Sequence, residues 1–130
     1  MITVIEDEEI ELRTKNDNII NSYNIYIKET NELIGYIIYR GYHKDVKLGD
    51  IGSVIYPKYR GHGFAAKALV LLSKYLNENN IADFWITCNE NNIPSKKTIE
   101  KLAQKNPKKI ENDILLYECQ TIEKTKTNRK

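Results

Sequence analysis

The stretch Tyr56–Ala66 combines glycine, positive charge and an adjoining helix in a way that suits phosphate binding. It contains Gly61 and Gly63 immediately after Arg60. Glycine lets the backbone adopt positive φ angles and approach a ligand without a Cβ in the way. An apolar helical pattern begins directly afterwards, and the N-terminus of a helix offers unpaired N–H groups and partial positive charge. These residues therefore predict either a phosphate-binding loop or an ordinary strand-to-helix connection.

A dinucleotide-binding fingerprint fits part of the same stretch, but its placement is wrong. Gly61, Gly63 and Ala66 satisfy G-x-G-x-x-A, and Asp83 lies twenty residues after Gly63. In the dinucleotide-binding fold a strand leads directly into the first glycine, and the acidic residue ends the second strand. Here residues 57–60 intervene, and Asp83 begins the next predicted strand. The P-loop pattern is absent from the sequence.

The residues before the loop are typical of strands. Residues 23–28 and 33–39 are rich in β-branched and aromatic side chains and predict a hairpin. Residues 50–56 predict a third strand that Pro57 stops. The acidic opening and residues 10–13 are compatible with one or two further strands.

After the loop, the hydrophobic period changes from that of strands to that of a helix. One apolar stripe predicts a helix reaching about Asn79, and its members are Ala65, Ala68, Leu69, Leu72 and Leu76. Residues 84–88 predict a strand, Pro94 opens a second helix that Asn106-Pro107 ends, and residues 114–119 predict a last strand. The fold class is therefore α+β: a mixed, mostly antiparallel twisted sheet with two main helices.

Three segments resemble motifs of one enzyme superfamily. Arg60–Ala65 fits R-x-x-G-x-A and resembles the acetyl-coenzyme A signature of the GNAT N-acetyltransferases. Asn92–Leu102 is similar to the N-x-x-S-x-x-x-hydrophobic-E-K-L helix of the RimJ/RimL-type branch, and Ile34–Ile37 is similar to the family's I-G-x-I strand. The resemblance covers residues 33–102 in the expected order. It implies a GNAT-like fold and transfer of the acetyl group of acetyl-CoA to a primary amine within a ternary complex.

The resemblance also implies a set of residues that bind acetyl-CoA. Backbone N–H groups of the glycine loop would cradle the pyrophosphate, while Arg60 adds charge or braces the loop. His62 would contribute either its backbone or its imidazole, and Asn92 would either bond the pantetheine arm or cap the second helix. The third strand would pair its backbone with the pantetheine arm. The full set is Ser53, Val54, Ile55, Arg60, Gly61, His62, Gly63, Phe64, Ala65 and Asn92.

Acetyl transfer to an amine needs proton acceptors and donors, because an amine with a pKa of about 10.4 is only about one part in a thousand neutral at pH 7. Asp50 and Glu90, or Asn89 through water, are candidates for the base. Ser95 is a candidate acid for the departing thiolate, and an ordinary first-turn serine is the alternative. Many family members carry a tyrosine acid at the position that Ile99 occupies here.

Two further departures concern the acceptor more than the cofactor. The Gly-Phe pair that usually follows the last helix is missing, and no amphipathic helices are predicted between the first strands, so the N-terminal half is reduced. The leading hypothesis is an acetyltransferase acting on a small-molecule or protein amine. The alternative is a non-catalytic acyl-CoA-binding module.

Charge and composition narrow the partners. The net charge is +2, but residues 124–130 carry four basic residues, which leaves sixteen basic and eighteen acidic residues in 1–123. We therefore expect one domain over 1–123, a disordered tail over 124–130, and no nucleic-acid partner apart from a weak, tail-mediated alternative.

Two distant cysteines predict buried thiols and neither a disulfide framework nor a metal site. Without a predicted signal peptide or membrane span, we expect a cytoplasmic protein that does not bind membranes. Homodimers are common in the family and remain an open expectation.

Overall fold

The computed structural model describes residues 3–43 and 48–123, which form eight strands and two helices. The basic tail 124–130 lies outside the described residues. A 3-10 turn, Pro57–Tyr59, precedes the first helix. The strands and helices in chain order are β1 (Thr3–Glu6), β2 (Ile10–Thr14), β3 (Asn21–Ile27), β4 (Glu32–His43), β5 (Leu48–Ile55), α1 (Phe64–Glu78), β6 (Asp83–Asn89), α2 (Ile93–Glu100), β7 (Lys108–Glu111) and β8 (Ile114–Gln120).

All eight strands join one sheet in the order β1-β2-β3-β4-β5-β6-β8-β7. The first five strands follow one another as an antiparallel meander with no helix between them. Helix α1 then crosses over so that β6 lies parallel to β5, while β8 pairs antiparallel with both β6 and β7. The predicted α+β class, the mixed and mostly antiparallel sheet and the reduced N-terminal half are confirmed.

The core lies between the sheet and the two helices, which touch each other and pack on the same face. The apolar stripe of α1 is buried as its period predicts, with Leu72 and Leu76 fully covered. On the strands, alternate residues face this core, as Phe84 and Ile86 of β6 do, and their neighbours face the opposite side of the sheet. This packing holds β5, β6 and the two helix N-termini in a fixed arrangement.

Helix α2 ends at Glu100, six residues earlier than the Asn106-Pro107 boundary predicts. The sheet edge captures the chain at this point, because Gln104 N–H donates to Glu118 O and Gln120 N–H donates to Leu102 O, both at 2.9 Å. Residues 102–104 thus bond to β8 in place of another helical turn.

Two other features differ from what the sequence predicts. Strand β7 was not predicted, because its four residues are all exposed and lack an apolar alternation. Of the two thiols predicted to be buried, Cys119 is buried but Cys88 is only half-buried. Cys88 lies towards the end of β6, beyond the point where β5 pairs with this strand. None of the helices in the described residues is long and apolar enough to span a membrane.

Candidate active site

Strands β5 and β6 are paired at one point and then part. Asp50 and Trp85 are the registered Cα partners of this parallel pair. Beyond it, residues 53–55 of β5 stay registered with β4, but no strand in the described part of the chain pairs with their other edge. Unpaired N–H and C=O groups along such an edge can bond an extended ligand.

A cleft of about 640 Å³ opens where the strands part. Its walls come from β5, β6, the glycine loop and both helices. The lining residues include most of the predicted site: Ser53, Val54, Ile55, Arg60, Gly61, Gly63, Phe64, Ala65, Asn92 and Ser95. Three predicted residues, His62, Asp50 and Glu90, are not among those that line it.

The N-terminus of α1 forms the cationic wall of this cleft. Gly63 is the N-cap with φ +80°, no side chain caps the helix, and its first turn holds no acidic residue. The first helical bond runs from Lys67 N–H to Gly63 O, so the preceding N–H groups have no acceptor within the helix. A Cβ built on Gly61 or Gly63 would meet no atom within 4 Å, so open space lies beside both. The arrangement fits a phosphate group.

The basic side chains around the glycine loop make different contacts. Arg60 braces the loop, because its Nε donates to Ile55 O at 2.8 Å, at the end of β5. The exposed His62 ring packs beside Phe64, with ring centroids 5.8 Å apart. Lys67 is drawn away by Glu9, 3.0 Å from its ammonium group, and this hydrogen bond raises the pKa of Lys67. The positive charge that faces the cleft therefore comes from Arg60 and from the N-terminus of α1.

Helix α2 places a serine and an asparagine at the opposite wall. Asn92 is the N-cap of α2, and its side chain accepts from Ser95 N–H at 3.4 Å, so the capping role is present while the side chain still lines the cleft. Ser95 is half-buried, and its hydroxyl has no hydrogen-bond partner among the described residues. Ile99, at the position where many family members carry a tyrosine, is 3% exposed and packs into the core.

Both candidate bases are engaged in ion pairs. Asp50 accepts from Arg40 Nη1 at 2.6 Å, and its side chain is only 16% exposed. The Glu90 carboxylate lies 3.4 Å from the Lys109 ammonium group and is 32% exposed. The ion pair of Asp50 is shorter than that of Glu90, so the Asp50 carboxylate is held more firmly.

Gly35 explains the I-G-x-I strand in physical terms. A Cβ built at this residue would lie 2.1 Å from Val54 O, so only glycine permits β4 to approach β5 this closely. Gly35 is registered with Ile55, and Tyr56 N–H donates to Ile34 O at 2.9 Å. This motif therefore sets the end of β5, where the cleft begins.

Two long-range hydrogen bonds near the site were not predicted. Tyr59 Oη donates to Glu32 Oε2 at 3.0 Å, and Tyr117 Oη donates to Glu100 Oε2 at 3.0 Å. Burial, followed by the hydrogen bond to Glu100, raises the pKa of Tyr117 to about 12. The glutamate of the E-K-L motif thus fastens α2 to β8. Sequence spacing alone gives no signal for contacts between residues 27 and 17 positions apart.

A family model described as "Acetyltransferase (GNAT) domain" matches residues 4–104. The curated protein YnaD of Bacillus subtilis (strain 168), named as an uncharacterized N-acetyltransferase, is 28% identical over 94 residues. That match covers 72% of this chain and 54% of YnaD, so the chain spans about half the length of the curated relative it matches.

Solved structures share the fold. An acetyltransferase (GNAT family) from Bacillus anthracis superposes with a TM-score of 0.73 at 19% identity, covering 92% of this chain and 99% of that one. RimL, a ribosomal L7/L12 α-N-protein acetyltransferase, gives a TM-score of 0.69 at 15% identity, covering 95% of this chain and all of RimL. At such identities the likeness establishes the architecture alone.

Proposed function

Because the chain belongs to the GNAT acetyltransferase family, we propose that it transfers the acetyl group of acetyl-CoA to a primary amine by direct attack in a ternary complex. One observation carries the proposal. The uncapped start of α1, with two glycines at positive φ, opens into the same cleft as the free edge of β5 and Ser95. A helix N-terminus suited to a phosphate, a free strand edge and a hydroxyl donor thus share one cavity within the size range of ligand sites.

The glycine loop would hold the pyrophosphate. Backbone N–H groups from Gly61 to Ala65 would direct their partial positive charge toward the anion without a loss of side-chain entropy. Arg60 keeps the loop against the end of β5. His62 serves through its backbone in this scheme, since its ring packs beside Phe64 outside the cleft lining. Acetyl-CoA would supply the acetyl group as an activated thioester.

The parted strands would hold the pantetheine arm. Ser53, Val54 and Ile55 lie on the edge of β5 that faces no other described strand. The Ile55 carbonyl already accepts from Arg60 Nε, and an amide-containing chain can bond the remaining groups of this edge like an added strand. Asn92 keeps its capping bond to Ser95 N–H and presents the rest of its amide to the cleft. These contacts would set the reacting thioester at the point where β5 and β6 part.

Proton transfer would use Ser95 and one carboxylate. The Ser95 hydroxyl, which makes no hydrogen bond to the described residues, would donate its proton to the departing thiolate. A thiolate is a good leaving group, so a weak acid suffices. Glu90 and Asp50 are the two candidates for the base. Glu90 is in the looser ion pair, so its carboxylate is the less firmly held of the two and would accept a proton through a water more readily. An Asp50→Asn variant with normal turnover beside an inactive Glu90→Gln variant would assign the base to Glu90.

An acetyl-CoA titration tests the cofactor site. The wild type should bind, and Gly63→Trp should abolish binding, because the new ring would fill the open space in front of the loop. Lys74→Trp, on the exposed side of the same helix, is the matched control and should bind normally. A folded wild-type protein without detectable binding would refute the proposal.

Turnover is tested by thiol release on an amine panel of polyamines, amino sugars, lysine peptides and peptide N-termini. The last are included because one protein with the same fold is named as an α-N-protein acetyltransferase. The buried Ile99, which removes the acid that many members use, favours a second candidate: a non-catalytic acyl-CoA-binding module. Tight acetyl-CoA binding without thiol release on any amine would select that alternative.

A further inference from the structure

Tyr59 joins the glycine loop to a distant part of the sheet. This tyrosine ends the 3-10 turn directly before Arg60, and it is one of the residues that line the cleft. Its hydroxyl donates to Glu32 Oε2 at 3.0 Å, across 27 residues of sequence. Glu32 is the first residue of β4, so the bond links the loop to the β3–β4 turn.

The acceptor carboxylate is itself held in place. Thr30 Oγ1, in the same turn, donates to the other oxygen, Glu32 Oε1, at 2.9 Å. The hydrogen bond from Thr30 and then that from Tyr59 lower the pKa of Glu32, so its side chain is ionised at neutral pH. Charge-assisted hydrogen bonds of this kind are stronger than neutral ones.

Neighbouring residues thus fasten the loop to two different strands: Tyr59 to the start of β4 and Arg60 to the end of β5. The loop that follows contains Gly61 and Gly63, and glycine loses more conformational freedom on ordering than any other residue. A loop that is ordered before the ligand arrives binds more tightly, because less freedom is lost on binding.

We infer that Tyr59, held by Glu32, is a positioning residue that pre-orders the glycine loop for acetyl-CoA. This inference rests on the proposed function. Glu32 acts only through the tyrosine, since a carboxylate would repel a phosphate at direct contact and Glu32 does not line the cleft. Lys58, whose ammonium group lies 5.5 Å from the Tyr59 ring centroid, offsets the negative charge nearby.

The test measures loop order and affinity separately. Tyr59→Phe keeps the ring and removes the hydroxyl. We expect its dissociation constant for acetyl-CoA, measured by calorimetry, to rise about tenfold. We also expect faster hydrogen exchange of the amides of residues 56–66 without ligand. Glu32→Gln keeps an acceptor oxygen, so it should lose less affinity for acetyl-CoA and less protection from exchange than Tyr59→Phe. KM for acetyl-CoA should change more than kcat.

Two matched controls remove similar groups without touching the tether. Tyr56→Phe deletes an exposed tyrosine hydroxyl three residues away, and Glu29→Gln neutralises an exposed carboxylate near the same turn; neither residue has a side-chain partner in the described part of the chain. Both should match the wild type in exchange and affinity. The double variant Tyr59→Phe/Glu32→Gln should be no weaker than Tyr59→Phe alone, because both changes break one connection.

The outcomes are distinct. If Tyr59→Phe equals Tyr56→Phe in both exchange and affinity, the positioning role is wrong. Losses that add in the double variant would show that the two residues act independently and would also overturn it. If the wild type binds no acetyl-CoA, the proposed function and the cofactor-positioning role both fail. The ligand-free exchange data would still show whether the bond orders the loop.

Discussion

Replacing Gly35 by alanine should damage the protein far more than the addition of one methyl group suggests. The new Cβ would lie 2.1 Å from the backbone oxygen of Val54, and real Cβ contacts essentially never fall below 3.0 Å. Two hydrogen-bonded strands would have to separate by roughly 1 Å, because a backbone atom has no rotamer into which it can turn away. Overpacking of this severity costs about 3 kcal/mol or more of the free energy of unfolding.

Gly61→Ala is the control that separates close contact from backbone conformation. Its Cβ would meet nothing within 4 Å, but its φ of +86° lies in the left-handed region. The loss of free energy of unfolding is then only the cost of holding alanine at a positive φ, about 1–2 kcal/mol. Because the strain falls on the loop, Gly61→Ala should weaken acetyl-CoA binding while the rest of the fold stays intact.

Urea denaturation of the two variants and the wild type measures the difference directly. We expect Gly35→Ala to lose clearly more free energy of unfolding than Gly61→Ala, with unchanged m-values. Equal losses, or a Gly35→Ala variant as stable as the wild type, would refute the argument that β4 must approach β5 closely to set the end of the cleft.

Three further predictions follow from single residues. Ser95→Ala should lower kcat about 100-fold and leave the dissociation constant of acetyl-CoA unchanged; an unaffected kcat would exclude Ser95 as the acid. The raised pKa of Tyr117, about 12, stabilises the fold below the ordinary tyrosine value of 10, and this contribution should be lost as pH rises through about 12. Ultraviolet titration of Tyr117→Phe against the wild type should show one late-ionising tyrosine fewer, and no difference would contradict the assignment. In the native protein a thiol reagent should modify the half-buried Cys88 before the buried Cys119, which should react only on unfolding; simultaneous reaction would contradict the packing of β8.

Local patterns predicted most of the secondary structure because the residues that create each pattern are also the ones the fold uses. The apolar stripe of α1 is spaced for one helical face, and that face is buried. The strands of the meander follow from runs of β-branched and aromatic residues, and the parallel crossover follows from the position of the helix between two strands. Gly61, Gly63, Asn92 and Ser95 were found as parts of motifs, and all four line one cleft.

Contacts that depend on tertiary packing could not be predicted in this way. The early end of α2 depends on backbone bonds that β8 offers to residues 102–104, and those bonds exist only after the sheet has formed. Strand β7 has no apolar alternation of its own, although Asn112-Asp113 between Glu111 and Ile114 is the kind of two-residue turn that marks a hairpin. The engagement of Asp50 by Arg40 depends on the pairing of β4 with β5, so sequence alone presented Asp50 as a free carboxylate.

The motif residues divide into those that maintain the fold and those that face the cleft, so a resemblance in the first group implies a shared fold but not a shared chemistry. Gly35, Ile99 and Glu100 maintain the backbone: they allow two strands to approach, fill the core and fasten α2 to β8. Gly63 and Ser95 face the cleft. A sequence can keep the first group, and with it the whole fold, while its chemistry changes. The proposed catalysis therefore rests on the Ser95 hydroxyl and one carboxylate, and kinetics on single variants of these residues test it while the residues that maintain the fold stay unchanged.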